Sequence, residues 1–308
     1  PLVTSYKAKG LLDEAHPLCL GAAGLSPKAD GILLPLIAKA DAILLAGYDP
    51  IEMRVGWRHP WTAETPVIDI TPVLRDHGMH DVSLTLRSAV APALEAIDAG
   101  MARGYRWPDD EIAAARTALA EAFAPETDEF GPAAVFHTLN EALPDDTIAT
   151  ADSGAHRILA SHVWQARGPR GMLQSSALCT MGCAVPLAAG HRLVDQRPAI
   201  AFVGDAGLEM GLGELATLRD LALPVIVCVL VDESLALIEK KQRSSQRPNL
   251  GVDFPGSDLA AVAQALGGHG VWIEDAETLK AEAADALARE TFTVLACRIG
   301  RRAYDGKI

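Results

Sequence analysis

The chain has 308 residues, 49% hydrophobic and 22% charged, with a formal net charge of −13. That length suits two domains, the composition suits filled cores and excludes a disordered chain, and the acidic balance makes nucleic acid and anionic membranes poor partners. No apolar run reaches membrane-spanning length and no signal peptide is visible; the five cysteines include one close pair, Cys179 and Cys183, with no second pair to complete a zinc site, which suits a reducing, cytoplasmic compartment.

The chain starts at Pro1 and enters ordered-looking sequence at once, as a truncated or processed chain, or the ordered part of a longer one, would. Residues 1–100 read as one α/β unit. The stretch Gly31–Lys39 predicts a helix leading into a β-type run at Ala42–Ala46; Pro66–Ile70 is a second such run, and Ser88–Ala99 is Ala-rich and helical. Residues 101–129 form a bridge: Trp107-Pro108-Asp109-Asp110-Glu111 resembles a helix start, and Pro125 ends the Ala-rich helix after about Ala124.

Residues 130–308 alternate between strands and helices. Strands are predicted at Thr147–Thr150, Ala199–Val203, Pro224–Val231, Val271–Ile273 and Thr293–Cys297, with helices over Gly213–Ala222, Asp258–Leu266 and Ala276–Ala288. The continuous apolar run Pro224–Val231 is what a parallel strand buried on both faces requires. The fold class is therefore α/β, a parallel sheet flanked by helices, preceded by part of a Rossmann-like α/β domain. Ligands bind such sheets beyond the carboxyl ends of the strands, where Asp205 and Asp232 fall.

In Gly204-Asp205-Ala206-Gly207 the small residues let a phosphate approach the backbone, and the carboxylate suits a cation bridging protein and phosphate. A plain turn explains the same four residues. Asp232 ends the next apolar strand; if the two strands are neighbours, both carboxylates converge on a small hard cation holding a diphosphate. The alternative is that Asp232 caps the following helix.

The stretch AIAFVGDAGLEMGLGELATLRDLALPVIVCVLVDESLALI resembles the thiamine diphosphate (ThDP) motif of the acetolactate synthase and 2-oxo-acid decarboxylase family. Ser175–Gly190 resembles that family's Gly-x-Gly-x-Met-Gly block, and Ala151–Arg157 its Asp-Val-Gly-Gln-His block. Together these cover most of residues 130–300, while residues 1–100 are similar to the latter part of the family's central domain. The resemblance implies Mg²⁺ ligands from the carboxylates of Asp205 and Asp232 and the backbone carbonyl of Ser234. It implies a diphosphate lining of Gly204, Ala206 and Gly207 with Ser153, Gly154, Ala155 and His156, the last able to donate to a phosphate oxygen. Met181 would hold the cofactor bent, the Cys179 carbonyl would hold its 4′-amino group, and Leu235, Ala236 and Leu237 would pack beside it. Taken without the resemblance, His156 is a loop histidine bonded to water, Met181 is core filling, and Leu235–Leu237 simply start a helix.

The sequence departs from the family at Ala206, Val231-Asp232 and Cys179, which stand where the family has glycine, Asn-Asn and glycine. No glutamate can be assigned the role of activating the cofactor at N1′, because the family carries that residue in an amino-terminal pyrimidine-binding domain of which no counterpart is found. The resemblance implies a ThDP- and Mg²⁺-dependent carboligase or decarboxylase for a small 2-oxo acid such as pyruvate, a homodimer or homotetramer at full length, with this chain alone inactive. The alternative is a non-catalytic ThDP-binding fragment or regulatory relative. A dinucleotide-dependent oxidoreductase is disfavoured, since no Gly-x-Gly-x-x-Gly follows a strand. The amino-terminal unit also resembles a domain that holds FAD in some relatives, but nothing in it requires FAD.

Overall fold

The computed structural model describes residues 1–51, 53–74, 77–101, 107, 110–176 and 178–308. Three parallel sheets form. Strands β1 (Leu2–Ser5) and β2 (Cys19–Ala23) pair, and β3 (Ile43–Ala46), β4 (Val67–Thr71) and β5 (Leu84–Arg87) make a second sheet in that order. The third has six strands: β6 (Ile148–Ala151), β7 (Met172–Gln174), β8 (Ala199–Gly204), β9 (Val225–Val231), β10 (His269–Ile273) and β11 (Thr293–Arg298), in the order β10-β11-β9-β8-β6-β7.

The helices are α1 (Pro27–Ile37), α2 (Val90–Gly100), α3 (Glu111–Ala122), α4 (Pro132–Ala142), α5 (Ala155–Val163), α6 (Ala184–Val194), α7 (Asp205–Met210), α8 (Gly213–Asp220), α9 (Ala236–Ser244), α10 (Leu259–Ala265) and α11 (Ala276–Ala286). Their starts follow local chemistry. Ser26 caps α1 by accepting from Lys28 N and Ala29 N, with Pro27 at the first helical position, and Asp258 and Asp275 cap α10 and α11. α3 starts at Glu111, whose Oε2 accepts from Trp107 Nε1 at 3.0 Å; Pro108 and Asp109 of the anticipated helix start lie outside the described residues. Ile112 and Ala115 of α3 are buried, and α3 contacts α1 and β2.

β9 explains the six-stranded sheet. Every one of its residues is buried. Alternate side chains enter two different cores, as the two-residue period of a strand demands. Ile226, Cys228 and Leu230 join Phe136, Leu159 and Leu279 of α4, α5 and α11. Val225, Val227, Val229 and Val231 join Ala188, Leu218 and Ala263 of α6, α8 and α10. The first core continues to Phe123, Leu33 and Tyr6, so the amino-terminal elements share it. Among the described residues no helix is long and apolar enough to cross a membrane.

Strand order sets the position of the site. From β6 the chain moves outward to β7, then returns to β8 on the other side of β6. That reversal opens a crevice between the carboxyl ends of β6 and β8, where doubly wound sheets bind ligands.

Candidate functional site

Three aspartates stand at three adjacent strand ends: Asp152 after β6, Asp205 after β8 and Asp232 after β9. All three are buried. β8 and β9 are paired in register, with Gly204 opposite Leu230. The Asp205 carboxylate spans the two strand ends: its Oδ1 accepts from Ala206 N at 2.8 Å and its Oδ2 from Glu233 N at 2.7 Å. Asp232 Oδ1 accepts from Ser234 N at 3.2 Å. This is a tight local turn with Glu233 in the left-handed region at φ 54°. Asp232 does not cap α9, because Leu235 holds that position.

The electrostatics favour a cation. Burial, with the nearby Asp205 charge second, pushes the Asp232 carboxyl up to about 7, and burial raises Asp205 as well. Ser234 Oγ is buried without a hydrogen-bond partner. A divalent ion between the carboxylates would restore both to their charged forms. Among the described residues no group of three or more His, Cys, Asp or Glu could hold a metal, so a third protein ligand here would have to be another kind of group. A backbone carbonyl meets that need.

A cavity of about 190 Å³ lies over these strand ends. All fifteen residues singled out from the sequence line it: Ser153, Gly154, Ala155 and His156; Cys179 and Met181; Gly204, Asp205, Ala206 and Gly207; Asp232, Ser234, Leu235, Ala236 and Leu237. Leu230, Ile238 and Tyr304 also line it, and no glutamate does so among the described residues.

His156 is neither exposed nor in a loop. It sits on the first turn of α5, buried, with Nε2 2.7 Å from Asp152 Oδ1. Since an ionised carboxylate only accepts, the ring carries its proton at Nε2 and turns Nδ1 towards Gly154 and Gly204. Any donation to a phosphate must therefore come from Nδ1 of the protonated ring. Asp152 Oδ2 also accepts from Gly182 N at 2.7 Å, and a Cβ on Gly207 would collide with that same oxygen. Gly207 is thus needed for close approach, and Gly182, at φ 75°, for its backbone conformation. Cys179 adopts φ 49° with a side chain, and its Sγ accepts from Arg157 Nη1 at 3.3 Å.

Sequence reasoning missed Asp152 and Tyr304 as parts of the site. Asp152 carries the signal that picked out Asp205 and Asp232, a carboxylate at a strand end. Tyr304 carries none: it comes from the tail after β11, and its hydroxyl is pushed upward by burial and then by the Asp232 and Asp205 charges.

Residues 152–297 match the family described as the thiamine pyrophosphate enzyme C-terminal TPP-binding domain, thiamine pyrophosphate being another name for ThDP. The chain is therefore similar to ThDP-dependent enzymes of the acetolactate synthase family, and residues 152–297 carry the likeness to their cofactor-binding domain. It is 25% identical to acetolactate synthase of Bacillus subtilis over 301 residues, 91% of this chain and 50% of that protein. It is 32% identical over 163 residues to the acetolactate synthase large subunit of Parasynechococcus marenigrum, covering 52% of this chain and 26% of that subunit. A pyruvate oxidase of Lactiplantibacillus plantarum is 25% identical over 273 residues, 86% of this chain and 45% of the oxidase. The chain thus spans half or less of the length of these relatives.

Proposed function

We propose that the chain supplies the diphosphate- and metal-binding side of a ThDP- and Mg²⁺-dependent carboligase or decarboxylase for a small 2-oxo acid such as pyruvate. The observation that carries this reading is the convergence of two buried carboxylates, Asp205 and Asp232, at the ends of paired strands, on a cavity, neither of them in a salt bridge among the described residues. Their carboxylates, with the Ser234 carbonyl, hold Mg²⁺. The backbone at Gly204, Ala206 and Gly207 and the Ser153–His156 segment receive the diphosphate. Cys179 and Met181 meet the thiazolium and pyrimidine side, and Leu235–Leu237 keep water from it. ThDP, when bound, supplies a nucleophilic carbon and an electron sink for cleaving the bond beside a 2-oxo group.

Among the described residues no glutamate lines the cavity. We assign the cofactor-activating glutamate to another segment or a neighbouring subunit, so a homodimer or homotetramer is the working unit and this chain alone is inactive. The division into residues 1–100, 101–129 and 130–308 belongs to the same proposal. The test is pyruvate consumption and CO₂ release by the longest encoded product with ThDP and Mg²⁺. Turnover that disappears on chelation supports the proposal, and ThDP-independent turnover overturns it.

One observation favours a second reading, a ThDP-binding relative without catalysis. Two like charges meet where the family has one carboxylate and an asparagine, and their repulsion weakens the hold on an anion. Tight Mg²⁺-dependent ThDP binding with no turnover by the longest product selects this reading.

A further inference from the structure

Two charged side chains from one short segment are buried beneath the loop that follows β7. Resting on the ThDP reading above, we infer that Arg157 and Asp152 are positioning residues that fix the Ser175–Cys183 loop, so that Cys179 and Met181 are presented to the cofactor's organic end.

Arg157 is 7% exposed. Its Nη1 donates to Ser175 O at 2.8 Å, at the start of the loop, and to Cys179 Sγ at 3.3 Å, in the middle. Its guanidinium lies over the Tyr6 ring, 5.5 Å from the centroid. Asp152 is 0% exposed and accepts Gly182 N at the far end of the loop. The backbone between them is tied twice more: Thr180 N donates to Ser175 Oγ and Ser153 N donates to Thr180 O, each at 3.1 Å. Ala177 lies outside the described residues.

The loop does not hold this shape by its own packing. Leu178 is 91% exposed, so this apolar side chain does not anchor the loop. Cys179 and Gly182 both have positive φ and flank Thr180-Met181. A left-handed non-glycine residue persists only where its surroundings impose it. Burying a guanidinium and a carboxylate is costly unless each is hydrogen-bonded; the Arg157 Nη1 bonds and one of the two Asp152 bonds run to the loop, while Arg157 Nε is buried without a partner. The other Asp152 oxygen goes to His156, so Asp152 serves the diphosphate side as well, whereas each Arg157 contact described is to the loop or to Tyr6.

The two residues therefore separate by probe. Calorimetric titrations with inorganic pyrophosphate plus Mg²⁺ read the diphosphate site alone, and titrations with ThDP plus Mg²⁺ read both ends. Arg157→Gln is expected to weaken ThDP about tenfold and leave pyrophosphate unchanged, a loss typical of one charge-assisted bond. Arg157→Lys keeps the cation and recovers part of the ThDP affinity. Asp152→Asn weakens both probes. Should thermal unfolding show that Arg157→Gln does not fold, Ser175→Ala removes the bond to Thr180 at a half-exposed position and should weaken ThDP alone, by about threefold. The inference is overturned if Arg157→Gln, or Ser175→Ala in its place, leaves ThDP unchanged or weakens both probes equally. It is also overturned if the parent binds ThDP no more tightly than pyrophosphate. A parent that binds neither probe with Mg²⁺ overturns the cofactor reading itself, and this inference with it.

Discussion

Asp205 Oδ2 accepts the backbone N–H of Glu233 at 2.7 Å, so the carboxylate ending one strand holds the turn that begins one residue after Asp232 at the end of the next. The bond fixes the separation of the two carboxylates before any cation arrives. A site arranged in this way spends little on reorganisation when it binds.

Asp205→Ala leaves the buried end of that turn without its acceptor. It should destabilise the chain by about 1–3 kcal/mol, the cost of an unsatisfied buried donor. Asp205→Asn keeps a carbonyl for Glu233 N and should cost less than Asp205→Ala. Denaturant titration of the two variants checks the order, and equal losses would show that the contact contributes nothing.

Asp232 makes metal-free stability depend on pH. Its folded value, about 7, lies above the ordinary 3.8. Between those values the folded chain holds a proton that the unfolded chain releases, so stability is highest below about pH 4 and falls as pH rises towards 7. Asp232→Asn should match the parent at pH 4 and exceed it at pH 8, with EDTA present throughout. Saturating Mg²⁺ should narrow the gap at pH 8. Stability curves that stay parallel from pH 4 to 8 would contradict this.

His162 acts in the opposite direction. It is partly buried and stacked on Phe123, with ring centroids 4.5 Å apart and planes 5° apart, and desolvation pushes its ring down to about 3. The unfolded chain takes up a proton near pH 6.5 that the folded chain refuses, so this stability is complete above about 6.5 and lost as pH falls towards 3. His162→Phe should flatten the acid limb, as read by urea midpoints at pH 4.5 and 7.5.

Gly207→Ala should show how closely the site is packed. The added methyl meets Asp152 Oδ2, which already accepts from Gly182 N, while Oδ1 of the same carboxylate is bonded to His156. A loss of about 1–3 kcal/mol is expected from overpacking. In Asp152→Ala the same substitution should cost less, and a double-mutant cycle measures the difference. Additive losses would mean that the two positions do not touch.

The fold was legible where residues repeat a pattern over enough length. Val225–Val231 is apolar throughout because both its faces are covered, and Ala199–Gly204 runs into Asp205 for the same reason. β7 spans three residues, and β1 and β2 are four and five residues long, too short to stand out from neighbouring loops. The residues lining the cavity were legible as blocks. Their partners were not, because Asp152 meets Gly182 across 30 positions, and Tyr304 enters from 72 positions beyond Asp232. The shared core that joins Tyr6 to Phe136 was hidden as well, since contacts between distant segments leave no local periodicity.

The central claim is that Asp205 and Asp232 grip a Mg²⁺-bound diphosphate. Calorimetric titration of the chain with ThDP, with Mg²⁺ and then with EDTA, tests it most directly. Saturable binding is predicted with Mg²⁺, weakened at least about tenfold by EDTA, with Asp205→Ala behaving like the chelated parent. Equal ThDP binding with and without Mg²⁺, unaltered in Asp205→Ala, would contradict it.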